Sequence, residues 1–217
     1  MKIRAFSKTY NGKTVLKTED MFFGKGKIYA VIGANGSGKS TFAKIISAIE
    51  KADDGRSVTD GESIGYMSQK SFPFRMSVKE NVMLKVKDET LADTLMEWLE
   101  IKHLSEHNAK GLSGGETARM ALARILMEKY DMVIFDEPCA SMDMKSTLLS
   151  EEIIRDYCGD KECVVILITH SLSQAKRVAD EIIFINEGRI VEQGETQKIL
   201  ENPEKEETRE FIRFYGI

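Results

Sequence analysis

Gly33-Ala34-Asn35-Gly36-Ser37-Gly38-Lys39-Ser40 is the stretch that decides the fold. A strand, Lys27 to Ile32, precedes it. Phe42, Ile45, Ile46 and Ile49 follow at i, i+3, i+4 and i+7, one face of a helix. Strand, glycine-rich turn and amphipathic helix form the setting in which G-x-x-x-x-G-K-[ST] binds phosphate. Glycines let backbone N–H groups curl round phosphate oxygens without Cβ clashes. The helix start adds partial positive charge. Lys39 is then a point charge for the β- and γ-phosphates, and the Ser40 hydroxyl is a ligand for Mg2+. Thr41, next along the helix, belongs to the same nucleotide-binding set.

Outward from this loop the chain reads as α/β. Ser63 to Met67 reads as a short strand, and Met132 to Phe135 and Cys163 to Ile168 as apolar strands. Between them lie helical patterns: Leu91, Leu95, Trp98 and Leu99; Ala118, Leu122, Ile125 and Leu126; Leu149, Ile153 and Tyr157. Ser171 and Gln174 have capping-box spacing for a further helix. Glu181 to Ile185 and Arg189 to Glu192 form a hairpin about Asn186-Glu187-Gly188, and the segment after Gly194 is helical and charged. Lys2 to Phe6 and Thr14 to Thr18 read as short strands joined at Asn11-Gly12, a small N-terminal antiparallel β-region. Alternating strands and helices imply a mostly parallel, covered sheet. The run from Phe72 to Gly111 has no comparable strand. It reads as a helical subdomain, about 72–115, inserted in a single domain over 1–217.

Composition bounds the rest. The 217 residues carry a net charge of −4, with 42% apolar and 30% charged residues. That suits an ordinary globular chain and excludes disordered and low-complexity classes. It offers no general drive towards nucleic acid or anionic lipid, so no nucleic-acid partner is expected. No apolar run approaches the roughly 20 residues of a spanning helix. Met1 to Lys17 lacks an apolar signal core, which points to the cytoplasm. Cys139, Cys158 and Cys163 form no Cys-x-x-Cys pair and read as packing residues in a reducing compartment. His103-Leu104-Ser105-Glu106-His107 matches H-x-x-E-H, but no further ligand is evident, so solvated histidines are the reading.

Met132-Val133-Ile134-Phe135-Asp136-Glu137 delivers two adjacent carboxylates to the end of a buried strand, where α/β sheets bind ligands. Neighbouring side chains alternate direction. Asp136 can hold Mg2+ through water, and Glu137 can orient or deprotonate an attacking water. Leu112-Ser113-Gly114-Gly115-Glu116 stands just before a helix, so its N–H groups and Ser113 can meet another face of a phosphate.

With this third motif the chain resembles the ATP-binding-cassette (ABC) ATPases, whose signature is Leu-Ser-Gly-Gly-Gln. Glu116 stands where Gln is usual, a mild departure, because the phosphate contacts come mainly from Ser113, Gly114 and Gly115. The resemblance extends over most of the chain. It implies a RecA-like phosphate-loop NTPase core, ATP and Mg2+ as ligands, Tyr10 stacking on adenine, and Gln69 sensing both Mg2+ and a transmembrane partner. Asp143, in Ala140-Ser141-Met142-Asp143, falls in the loop that crosses a dimer interface, and His170 is the switch histidine at the γ-phosphate. Lys39, Glu137 and His170 are then the catalytic residues.

The resemblance further implies two domains stacked head to tail, as identical copies or paralogues, with ATP on one closed over by Ser113 and Gly115 of the other. It makes the chain the ATPase subunit of a membrane transporter, held at the cytoplasmic face of the membrane by a separate permease. Phe72-Pro73-Phe74 and Ser77 to Val82 look like the segment that receives the permease. Gly188 to Gly194 resembles the close of bacterial-type transporter ATPases, often those of importers, and import would also involve a solute-binding protein. The interval from Lys39 to Gln69 is shorter than the family leads one to expect, as if a β-insertion were trimmed. Together with the short tail after Gly194, this suggests a compact, unregulated subunit. The same engine also serves soluble repair and translation factors and mechanotransmission to a membrane enzyme. The long coiled-coil insertion of the first and the paired cassettes of the second are not seen in this sequence.

Overall fold

The apolar runs of the sequence pair at the centre of an eight-stranded sheet, seen in a computed structural model that describes residues 1–215. The last two residues of the expected 1–217 domain lie outside the described residues. The strands are β1 (Lys2–Ile3), β2 (Ser7–Tyr10), β3 (Lys13–Lys17), β4 (Met21–Phe22), β5 (Lys27–Ile32), β6 (Ile64–Met67), β7 (Met132–Asp136), β8 (Val164–Ile168), β9 (Glu181–Asn186) and β10 (Arg189–Glu195). The helices are α1 (Lys39–Ile46), α2 (Val78–Val82), α3 (Glu89–Trp98), α4 (Gly114–Leu126), α5 (Met144–Lys161), α6 (Leu172–Val178), α7 (Thr196–Glu201) and α8 (Glu206–Tyr215). The main sheet runs β2-β3-β10-β9-β5-β8-β7-β6, and β1 pairs with β4 in a separate antiparallel ribbon. All its pairings are parallel except β2 with β3 and β9 with β10. No described helix is long and apolar enough to cross a membrane.

Strand alternation sorts the core into two faces. Val133, Phe135, Val165 and Leu167 pack under α2 to α5 with Val82, Met96, Leu99 and Leu122. Met132, Ile134, Val164 and Ile166 point the other way, onto Phe42, Ile45 and Ile46 of α1. The 78–126 helices thus share one apolar cluster with the sheet. A third cluster, around Ile32, Phe184 and Phe211, seats α6 to α8.

Four expectations needed correction. The first hairpin strand is Ser7–Tyr10, not Lys2 to Phe6, because a two-residue turn at Asn11-Gly12 (φ 51° and 78°) pairs the residues flanking it. Lys2–Ile3 pairs instead with β4. Ile49 is 61% exposed, since α1 stops at Ile46 and Ala48 turns left-handed at φ 56°. Trp98 is also exposed, and Leu99 takes the buried position. Ser171 caps α6 by accepting from the Gln174 N–H, but the Gln174 side chain donates to Glu151 and leaves the box open.

The β9–β10 turn braces the phosphate loop. Gly188 N–H donates to Ser37 O at 3.0 Å, and Lys17 N–H donates to Gly188 O at 2.7 Å. Gly188 has φ +74°, and a Cβ there would lie 2.6 Å from the Val15 carbonyl oxygen. Gly188→Ala is expected to cost about 1–3 kcal/mol, a fall in Tm of about 3–10 °C in a chain of this size. Thermal melting by circular dichroism checks it; an unchanged Tm would show that the turn relaxes freely.

Candidate nucleotide site

Four parallel strands in the order β5-β8-β7-β6 end on one edge of the sheet. Val31 pairs with Ile168, Ile168 with Asp136, and Phe135 with Met67, so the loops that follow emerge in one row. They carry the phosphate loop after β5, His170 after β8, Glu137 after β7 and Gln69 after β6. This row is where parallel α/β sheets bind ligands.

The phosphate loop starts at Gly33, where a Cβ would fall 2.1 Å from the Ile185 carbonyl oxygen, so only glycine passes β9 here. Lys39 is buried, and its Nζ donates to Gly33 O and Ala34 O, each at 2.8 Å. Burial draws the Lys39 pKa below its ordinary value, while the charges of Glu137 and Asp136 push it back up. The first helical N–H of α1 to find a carbonyl is Phe42, bonded to Gly38 O. The amides ahead of it are donors left for a ligand.

A cleft of about 490 Å³ opens over this loop, lined by Tyr10, Val15, Asn35, Gly36, Gly38, Lys39, Ser40, Thr41, Gln69 and Glu137. A second cavity of about 280 Å³ shares Asn35, Gln69 and Glu137 with it and adds Gly33, Ala34, His170, Phe211 and Tyr215. The Tyr10 ring is 41% exposed, and its hydroxyl donates to Glu50.

Asp136 is buried at the floor, and burial raises its carboxyl above the usual range. Tyr66 Oη donates to Asp136 Oδ2 at 3.2 Å, and the Ser40 side chain lies beside the same carboxyl. Ser40 and Asp136 therefore present hydroxyl and carboxylate oxygens together, a donor pair that fits Mg2+, which binds few protein ligands and keeps waters and phosphate oxygens. No cluster of three or more His, Cys, Asp or Glu that could hold a metal occurs among the described residues. That includes the His103–His107 segment, which opens with a 3-10 turn at Lys102–Leu104.

Glu137 turns left-handed at φ 50°, with its N–H donating to Ile168 O at 3.0 Å. Gln69 Nε2 donates to Glu137 Oε2 at 2.8 Å, and His170 Nδ1 lies 3.3 Å from Oε1. The carboxylate is clasped from both sides at the edge of both cavities.

Ser113, Gly114, Gly115 and Asp143 line neither cavity. Ser113 N–H and hydroxyl donate to Glu116 Oε2 at 2.8 and 2.7 Å, and Glu116 N–H donates back to Ser113 Oγ at 3.4 Å. This reciprocal cap holds the Glu116 carboxyl below its usual range and answers what the acid does in that place. Asp143 caps α5 through Ser146 N–H at 2.8 Å. Arg119 Nη1 donates to Ser146 Oγ at 2.7 Å, tying α4 to the first turn of α5. Sequence reading missed Tyr66, Glu50, Phe211 and Tyr215. Tyr66 belongs to a strand already recognised, but its contact with Asp136 follows from the β6–β7 register, which no motif encodes.

Residues 16–140 match the family model described as ABC transporter. The chain is 38% identical over 201 residues to the tungstate uptake system ATP-binding protein TupC of Peptoclostridium acidaminophilum, across 85% of this chain and 94% of that protein. It is 31% identical over 232 residues to the phosphate import ATP-binding protein PstB of Mycoplasmoides gallisepticum, across 92% of this chain and 71% of that one. A bacterial Atm1-family ABC exporter solved with ATP bound matches all of this chain with a TM-score of 0.86. That match spans 41% of the exporter chain at 21% identity, a likeness of fold alone. The chain belongs to the ABC transporter family, as one of its ATP-binding ATPases.

Proposed function

We propose that this chain is the ATP-hydrolysing subunit of an ABC importer, seated on the cytoplasmic face of the membrane by a separate permease. It works as a head-to-tail pair with a second copy or a paralogue. The observation that carries this reading is the division of the site. The two adjoining cavities gather Lys39, Ser40, Glu137 and His170, with the buried Asp136 carboxyl beside Ser40, while Ser113–Gly115 and Asp143 line neither of them. A facing copy brings Ser113–Gly115 and Asp143 over the nucleotide. The uptake and import named for TupC and PstB support the direction, and import implies a solute-binding protein.

ATP lays its base against Tyr10 and its phosphates along residues 33–41. Lys39 exchanges the Gly33 and Ala34 carbonyls for phosphate oxygens, and its burial strengthens that attraction. Ser40, Asp136 and Gln69 would hold Mg2+, which would supply neutralisation of phosphate charge. Glu137, fixed by Gln69, orients the attacking water and accepts its proton. His170, beside Glu137, stabilises charge on the γ-phosphate in an in-line displacement. Closure and reopening of the pair is the output that moves the permease.

The permease docks in a groove of about 410 Å³ between β6 and the helices, lined by Tyr66, Phe72, Phe74, Leu84, Arg124 and Tyr130 among others. Its wall is rigid. Buried Asn81 bonds the backbone of Phe74, Met76 and Ser77, and Arg124 clamps Asn81 and the Phe72 carbonyl. Phe72 remains 63% exposed at the groove mouth, with Lys110 Nζ 4.2 Å from its ring centre.

Glu137→Gln should keep ATP affinity and lose turnover by about 100-fold or more; calorimetry and phosphate release measure the two, and ordinary steady-state hydrolysis would sink the role of Glu137. Asp136→Asn tests the floor. A carboxyl whose folded pKa is raised contributes stability below its unfolded pKa, about 3.9, and loses it as pH rises through the folded value. At pH 7.5 the ionised group therefore opposes folding. The Asn variant should melt about 2–4 °C higher without nucleotide, converge with the parent as pH falls towards 4, and lose the Mg2+-dependent stabilisation by ATP. A lower Tm at pH 7.5 would contradict this. For the assembly, Phe74→Asp should abolish recovery of the chain with its transmembrane partner while ATP binding persists. Isolating the parent complex and asking whether tungstate or phosphate stimulates its ATPase tests import.

A further inference from the structure

Tyr10 ends β2, the outermost strand of the sheet, with no ladder partner on its free side. That side is stitched to the segment following α1. Asp53 N–H donates to Ser7 O at 2.9 Å, and the Asp53 carboxylate accepts from Thr9 N–H at 3.0 Å. Lys8 Nζ lies 3.1 Å from Glu50 Oε1 and 5.2 Å from the centre of the Tyr10 ring. Glu50 accepts the hydroxyl of Tyr10 itself. The helix that begins at Lys39 ends at Ile46, and the segment that follows it carries Glu50, the group that grips the aromatic wall of the same cleft.

We propose that Glu50 is a positioning residue for the nucleobase, holding the Tyr10 ring upright as the cleft wall and tying it to the phosphate-loop helix. The inference rests on the reading of Tyr10 as the base-stacking residue. A ring on an edge strand is free to rotate about χ1, and a stacking platform must stand at one angle before the base arrives. The hydroxyl bond to a carboxylate supplies that angle, and charge-assisted bonds are the strong ones. Glu50 is itself held, with its side chain 25% exposed and paired to Lys8, whose side chain is 15% exposed. The carboxylate beside Tyr10 also pushes its phenol pKa up, so the group stays a donor. Because Tyr10 spends its hydrogen on Glu50, the base is gripped by the ring face rather than read by the hydroxyl.

The test is steady-state ATPase kinetics and ATP affinity for Tyr10→Phe, Glu50→Ala, Glu50→Gln, Tyr10→Ala and the Tyr10→Phe/Glu50→Ala pair, with melting curves for each. Tyr10→Phe keeps the ring and removes one oxygen, so it stays informative even where Glu50→Ala folds poorly. The expected result is a KM for ATP raised about threefold to tenfold in Tyr10→Phe and in Glu50→Ala. kcat should stay close to the parent value, with Glu50→Gln in between. The double variant should be no worse than the worse single, since both break one bond. Parent-like KM in Tyr10→Phe and Glu50→Ala, beside a raised KM in Tyr10→Ala, would overturn the role of Glu50 and leave Tyr10 as the wall. Multiplying effects in the double variant would overturn it as well. A parent-like KM in Tyr10→Ala would overturn the reading of Tyr10 first, and this inference with it.

Discussion

Parallel pairing of four neighbouring strands is the constraint from which the site follows. In the order β5-β8-β7-β6 each strand points the same way, and the register sets Ile168 beside both Val31 and Asp136. A slip of one residue in any pairing would swap the faces of that strand. Val133 and Phe135 would leave one cluster for the other, and Asp136 would no longer sit on the floor beneath Ser40. The two apolar clusters therefore fix where the acids stand. Burial of side chains in the core and placement of the reactive groups are one requirement.

Within that frame the cleft is charged in ways the bare protein does not favour. Asp136 is a buried carboxyl and Lys39 a buried ammonium, and burial works against the ionised form of each. Their mutual attraction and the Gly33 and Ala34 carbonyls compensate in part. A magnesium-bound triphosphate brings charge of the sign each lacks. The site is thus arranged to gain from its ligand, which suits an ATPase.

Much of this was legible in the residues. The phosphate loop, the strand ending at Asp136 and Glu137, and the signature before α4 each carry a local pattern, and the helix and strand periods placed them correctly. Local pattern failed where tertiary contact decided the outcome. Helical periodicity continued to Ile49, but the chain needed to turn at Ala48 to reach β2. Capping-box spacing at Ser171 was right for one bond only, because Gln174 found buried Glu151. Tyr66 and Glu50 act through partners distant in sequence, and α8 reaches the second cavity through a packing that no motif announces.

The Gly188 brace has a consequence for anyone wishing to label this molecule. Hairpin tips are the customary place to splice a reporter, and Glu187-Gly188 looks like one. Yet its backbone is bonded to Ser37 and Lys17, so an insertion there would pry open the floor of the nucleotide cleft. The polar bend at 54–57 is exposed and bonds chiefly to Arg4 and to its own neighbours. A fluorescent tag belongs there, clear of the backbone bonds that brace the phosphate loop.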